Sequence, residues 1–114
     1  MRTALITAIA LVAIAIPAAG AATSAAVKPV VINITALNGR PVGGIKRPTV
    51  KKGQTVRIVV RTNVGSQVHL HGYNIEKTVK KGVPTVIQFV AKVQGRFALE
   101  LHPMDALLAQ LTVK

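Results

Sequence analysis

The sequence predicts an all-β sandwich of seven to eight strands, and three observations predict it. Short segments of alternating apolar and polar residues recur across roughly 90 residues, each bounded by Gly, Pro or Asn turns. No amphipathic helix of useful length interrupts them. The chain has no cysteine, so a packed core rather than disulfides has to hold it together.

The elements follow in order. Met1 and Arg2 precede an apolar run over residues 4–16, which Pro17 breaks before Ala19-Gly20-Ala21. A positive start, a short apolar stretch and an A-x-A site read as a signal peptide over residues 1–21. The run is shorter than the roughly 20 residues of a membrane-spanning helix, so no transmembrane segment is expected after cleavage and the destination is periplasmic or secreted. Residues 22–29 form a short flexible lead, and residues 30–114 the sandwich domain. Residues 30–37 alternate, with Ile32, Ile34 and Ala36 on one face. Asn38-Gly39 is a turn signal, and residues 40–48, with two Pro and two Gly, read as loop. Thr49-Val50 is a short strand ended by Lys52-Gly53-Gln54. Residues 55–62 are the clearest strand, with Val56, Ile58 and Val60 inward and Arg57 and Arg61 outward.

Asn63-Val64-Gly65-Ser66 is a loop, and two short extended pieces lie on either side of Gly72. Lys81-Gly82-Val83-Pro84 turns the chain into residues 85–91, where Ile87 and Phe89 share a face. Val93-Gln94-Gly95 reads as a hairpin connection to a strand in which Phe97, Leu99 and Leu101 alternate with Ala98, Glu100 and His102. Residues 107–113 close the chain, with one helical turn over residues 106–110 as an option before them. The expected core is Ile32, Ile34, Val56, Ile58, Val60, Leu70, Ile87, Phe89, Phe97, Leu99 and Leu101.

Fifteen Lys and Arg stand against three acidic residues, a formal net charge of +12. Such a chain is attracted to an acidic protein or an anionic envelope surface, and to nucleic acid only non-specifically. The lack of cysteine excludes thiolate zinc sites, cysteine nucleophiles and thiolate-ligated blue copper. Asp105 is the only Asp, no Ser stands in a nucleophile-elbow context and there is no Gly-rich phosphate loop. An enzyme is therefore not expected.

Every histidine falls in one of two clusters, His69-Leu70-His71-Gly72-Tyr73 and Glu100-Leu101-His102-Pro103-Met104. Residues two apart in a strand point to the same side, so His69 and His71 share a face, as do Glu100 and His102. If the two strands are neighbours, three imidazoles and a carboxylate converge. Imidazole suits Cu, Zn, Ni or Fe, and a thioether such as Met104 favours Cu(I). The bland alternative is a solvated sandwich face that happens to carry His and Glu.

The stretch from Thr49 through Gly53 to Val56, then Asn63 and His71, resembles the first half of a cupredoxin. Residues 82–91, then Gly95-Arg96-Phe97-Ala98-Leu99, His102 and Leu111-Thr112-Val113 resemble its second half. The resemblance covers roughly residues 30–113 and implies a Greek-key sandwich in a small exported cupredoxin-like domain. It carries His71 over as a ligand, and His102 and Met104 more loosely. The blue-copper cysteine is missing: Leu101 or its neighbours hold that place. The implied function is a metal-binding module, for copper at a non-blue His-rich site, with His69, His71, His102, Glu100 and Met104 as candidate ligands. The alternative is a metal-free interaction module that binds an acidic partner through its charge. Arg61, Lys80 and Lys81 are expected to form a basic rim beside the histidines.

Overall fold

Period-two alternation sorts this chain into two sheets with a common apolar interior. The computed structural model describes residues 10–14 and 28–114. Residues 10–14 are exposed and without regular structure; the remainder of the expected signal peptide and most of the lead lie outside the described residues. Among the described residues no helix is long and apolar enough to cross a membrane.

The first sheet holds β1 (Val30–Leu37), β2 (Arg40–Pro41), β4 (Thr55–Thr62) and β7 (Thr85–Val90), in the order β2-β1-β4-β7. The second holds β3 (Thr49–Val50), β5 (Gln67–Leu70), β6 (Ile75–Thr78), β8 (Gly95–His102) and β9 (Ala106–Val113), in the order β3-β9-β8-β5-β6. β1 runs parallel to β4 and β3 parallel to β9; the other pairs are antiparallel. This is the all-β sandwich expected. The nine strands among the described residues exceed the expected seven to eight by β2, two residues within the segment expected as loop.

The inward rows are Ile32, Ile34 and Ala36 of β1, Val56, Ile58 and Val60 of β4, and Ile87 of β7. Val68 and Leu70 of β5, Leu99 and Leu101 of β8, and Leu108, Leu111 and Val113 of β9 face them. Burying one such Leu or Ile stabilises by about 1.5–3 kcal/mol, and these rows are what fix the register. A one-residue slip would turn each of them to solvent.

Four sequence expectations change. Phe89 and Phe97 are only half-buried, packed on the rim of the core rather than in it. They meet Tyr73, whose ring centroid lies 4.7 Å from that of Phe89 and 4.8 Å from that of Phe97. Tyr73 Oη donates to the Val93 carbonyl at 2.9 Å and accepts from the Val93 N–H at 3.1 Å. Val93-Gln94-Gly95 is not a hairpin: β7 and β8 belong to different sheets, and the segment carries the chain across the sandwich. Local turn residues cannot distinguish a hairpin from such a crossing. Residues 106–110 are strand from Ala106 onward, because β9 pairs along β8 and tertiary pairing overrides a weak helical preference. Within residues 40–48, Arg40 and Pro41 pair with Leu37 and Ala36 as β2.

Candidate metal centre

The inward set of each strand dictates what stands on its back. Val68 and Leu70 point into the core, so His69 and, just past the strand end, His71 point outward from the second sheet. Leu99 and Leu101 do the same on β8, leaving Glu100 and His102 outward. The antiparallel register sets His69 opposite Glu100 and Gln67 opposite His102. The His71 N–H donates to the Ala98 carbonyl at 2.9 Å, extending the pairing by one step. Glu100 thus takes the centre of the face, with His69 across from it and His71 and His102 approaching from either side along the strands.

The rings meet. His69 and His71 have centroids 4.1 Å apart, and His69 and His102 5.8 Å. One donor nitrogen from each of the three histidines lies within 4.8 Å of the others. The cluster occupies the outer face of the second sheet. The reason is that β5 and β8 are direct neighbours, so the shared face is set by pairing.

A β-bulge sits beside Glu100. The β8–β9 register runs Leu99 opposite Ala109 and then Glu100 opposite Leu107, so Leu108 is the extra residue. Leu108 and Ala109 are both buried. Without the bulge, one of these apolar residues would be paired opposite outward-facing Glu100. Bulges commonly re-aim side chains next to functional sites, and this one lets Glu100 and Leu107 share the outer face.

Two turns brace the histidines. The Ser66 N–H donates to the His102 carbonyl at 2.8 Å, and Ser66 Oγ donates to it at 3.2 Å. Gly65 makes that approach feasible, since a Cβ there would stand 2.6 Å from Leu101 Cδ1. Gly72, with φ +82°, lies against Phe97: a Cβ would stand 2.4 Å from its Cδ1. The turn after His71 can therefore close onto the aromatic rim.

The electrostatics of the face oppose those of the protein. The chain has three acidic residues, and all three touch this cluster. Glu100 Oε2 lies 3.0 Å from His71 Nε2 and 3.9 Å from His102 Nε2. Asp105 Oδ1 lies 2.6 Å from His102 Nδ1, and Glu76 Oε1 lies 4.0 Å from His69 Nδ1. The charged groups in contact with the histidines are these carboxylates. Arg61 points from the outer face of the other sheet, where it and Lys81 border a pocket of about 250 Å³ with Leu37 and Asn63.

His71 Nε2 is the group the protein leaves unsettled. It is shielded from solvent and has no hydrogen-bond partner, although Glu100 Oε2 is 3.0 Å away. The approach is close but not directed along a hydrogen bond. A buried polar nitrogen without a partner costs free energy, and a cation held between the nitrogen and the carboxylate removes that cost. Donor chemistry agrees, since imidazole and carboxylate are both ligands of divalent transition metals.

His69, His71, His102 and Glu100 come together. Met104 lies across the β8–β9 turn against Gly39 of the other sheet, with its Cγ, Cε and Sδ 3.4–3.9 Å from where a Gly39 Cβ would stand. Sequence reasoning passed over Asp105 and Glu76 as partners. The i,i+3 spacing of His102 and Asp105 across a turn was an available signal; the Glu76–His69 pairing was not, because it depends on β5–β6 register.

No protein-family model matches the chain, and no curated protein matches it. Solved structures do. A copper-binding protein determined by NMR in its apo form is 17% identical and superposes with a TM-score of 0.59, over 74% of this chain and 86% of that one. The metal-binding domain of the Streptococcus pneumoniae D39 Cu(I)-exporting P-type ATPase CopA, solved with Cu(I), is 19% identical with a TM-score of 0.60, over 74% and 84%. A chain of a heme-copper terminal oxidase dimer is 16% identical with a TM-score of 0.57, over 75% and 65%. At these identities the likeness shows the fold: this chain is a cupredoxin-like β-sandwich.

Proposed function

We propose that this protein is an exported metal-binding module that holds copper at a non-blue site built from His69, His71 and His102. The observation that carries the reading is the gathering of every histidine and every carboxylate of a +12 chain on one sheet face. A solvated surface has no reason to collect them. The reading is supported by Nε2 of His71, which is shielded from solvent, makes no hydrogen bond and lies 3.0 Å from Glu100 Oε2. Two of the structural neighbours are described as copper-binding and Cu(I)-exporting proteins, which supports copper over other imidazole-binding metals.

The site's own residues would do the following. The imidazole nitrogens supply neutral ligands, the carboxylates offset the charge of the ion, and β5 and β8 hold the donors on a rigid sheet. Fast electron transfer of the blue-copper kind depends on a thiolate, which this chain lacks. Binding, storage or hand-over of the ion is the role proposed, with no catalytic step. Export rests on the leader over residues 1–21, and intact mass of the native protein should give a chain starting at Ala22 or Thr23.

The test is a titration of the purified mature chain with Cu(II), Cu(I) and Zn(II) against a competing chelator. One ion should bind per chain, and His71→Asn with His102→Asn should abolish binding while the fold persists. Binding unaffected by that double substitution would overturn the assignment.

A further inference from the structure

We infer that the site selects a divalent cation, Cu(II) above all, through three imidazoles and the carboxylate of Glu100, and that Met104 takes no part. This inference rests on the metal-binding reading above and adds the oxidation state and the fourth ligand.

Position is the first argument. Glu100 is the central residue of the face, and its Oε2 already lies 3.0 Å from His71 Nε2 and 3.9 Å from His102 Nε2. An ion bound by those two nitrogens at about 2.0–2.1 Å would lie within reach of the same oxygen. The alternation of β8, with Leu99 and Leu101 buried, fixes this carboxylate on the outer face. Its side chain is only 26% exposed, against 56% for Glu76 and 74% for Asp105. Of the three carboxylates it is the one built into the sheet surface.

Charge is the second. Three carboxylates surround three histidines, in a chain that is otherwise basic. A doubly charged ion is favoured over a singly charged one by this concentration of negative charge, because the Coulomb gain scales with the charge of the ion. Donor type is the third. Carboxylate oxygen is a hard ligand, whereas Cu(I) is drawn to thiolate and thioether. The chain has no thiolate. Its one thioether near the cluster in sequence, Met104, stands 43% exposed in the turn after His102 and leans on Gly39, in the turn between β1 and β2. Among divalent ions, affinity at a given N/O site rises to Cu(II) and falls at Zn(II).

The experiment compares Cu(II) and Cu(I) affinities of the full mature chain by chelator competition, for wild type, Glu100→Gln, Met104→Leu and His71→Asn. Glu100→Gln keeps the size of the side chain, and Met104→Leu is a volume-conserving swap, so both should fold; circular dichroism checks this. Glu100→Gln should weaken Cu(II) binding by at least about tenfold, since even outer-sphere partners cost about 10–100-fold, and should leave Cu(I) binding unchanged. Met104→Leu should change neither. An unchanged Cu(II) affinity in Glu100→Gln, or a Cu(I) affinity lowered by Met104→Leu, overturns the inference while leaving the metal site standing. Cu(II) and Cu(I) binding that His71→Asn leaves intact overturns the metal-binding reading itself, and this inference with it.

Discussion

Asp105 Oδ1 lies 2.6 Å from Nδ1 of His102, across the turn that joins β8 to β9. An ionised carboxylate can only accept, so in the neutral imidazole this contact favours the tautomer with its proton on Nδ1 and its lone pair on Nε2, the nitrogen that faces Glu100. Asp105 has φ 51°, a left-handed conformation that glycine adopts without strain. Asp105→Gly should therefore keep the turn while removing the acceptor. Metal affinity should fall by about 10–100-fold, read by chelator competition, with little change in the melting temperature.

Gly72 links the site to the aromatic rim. Its φ is +82°, and a Cβ would meet Phe97 at 2.4 Å. Gly72→Ala combines a left-handed alanine, costing about 1–2 kcal/mol, with overpacking that costs about 1–3 kcal/mol. Urea denaturation should show a loss of roughly 2–5 kcal/mol from these two effects. Metal binding should weaken as well, since His71 is the preceding residue. A stability within half a kcal/mol of wild type would mean that Phe97 moves aside freely.

Leu99 is 1% exposed and faces the interior, back to back with the histidine face. Leu99→Ala should cost roughly 2–5 kcal/mol through lost burial and the cavity left behind. The measurement is the denaturant midpoint at unchanged slope.

Tyr73 caps the aromatic rim through its two hydrogen bonds to Val93. Tyr73→Phe keeps the ring contacts with Phe89 and Phe97 and loses only these bonds, which lie at an exposed position. Stability should drop by roughly 0.5–1.5 kcal/mol and metal affinity should not change. A fall in affinity would mean that the rim and the site are mechanically coupled.

The alternation of Ile32/Ile34, Val56/Ile58/Val60 and Leu99/Leu101 was sufficient to determine the fold class and most of the core, because a strand's side-chain period is fixed by covalent geometry. The same rule determined that His69 and His71 share a face and that Glu100 and His102 share one. It could not determine whether those faces were the same face. That depended on β5 lying beside β8 in register, a pairing between segments some thirty residues apart that no local pattern encodes. The gathering of Glu76 and Glu100 around the rings, the bulge at Leu108 that sets Leu107 opposite Glu100 and the contact of Met104 with Gly39 are likewise consequences of which strands became neighbours. So is the role of Val93-Gln94-Gly95, whose turn chemistry suits a hairpin but whose flanking strands entered different sheets. Local alternation settled the long strands, their apolar sides and the donor types; which donors meet was left to the pairing of β5 with β8, because proximity across a sheet is a property of register.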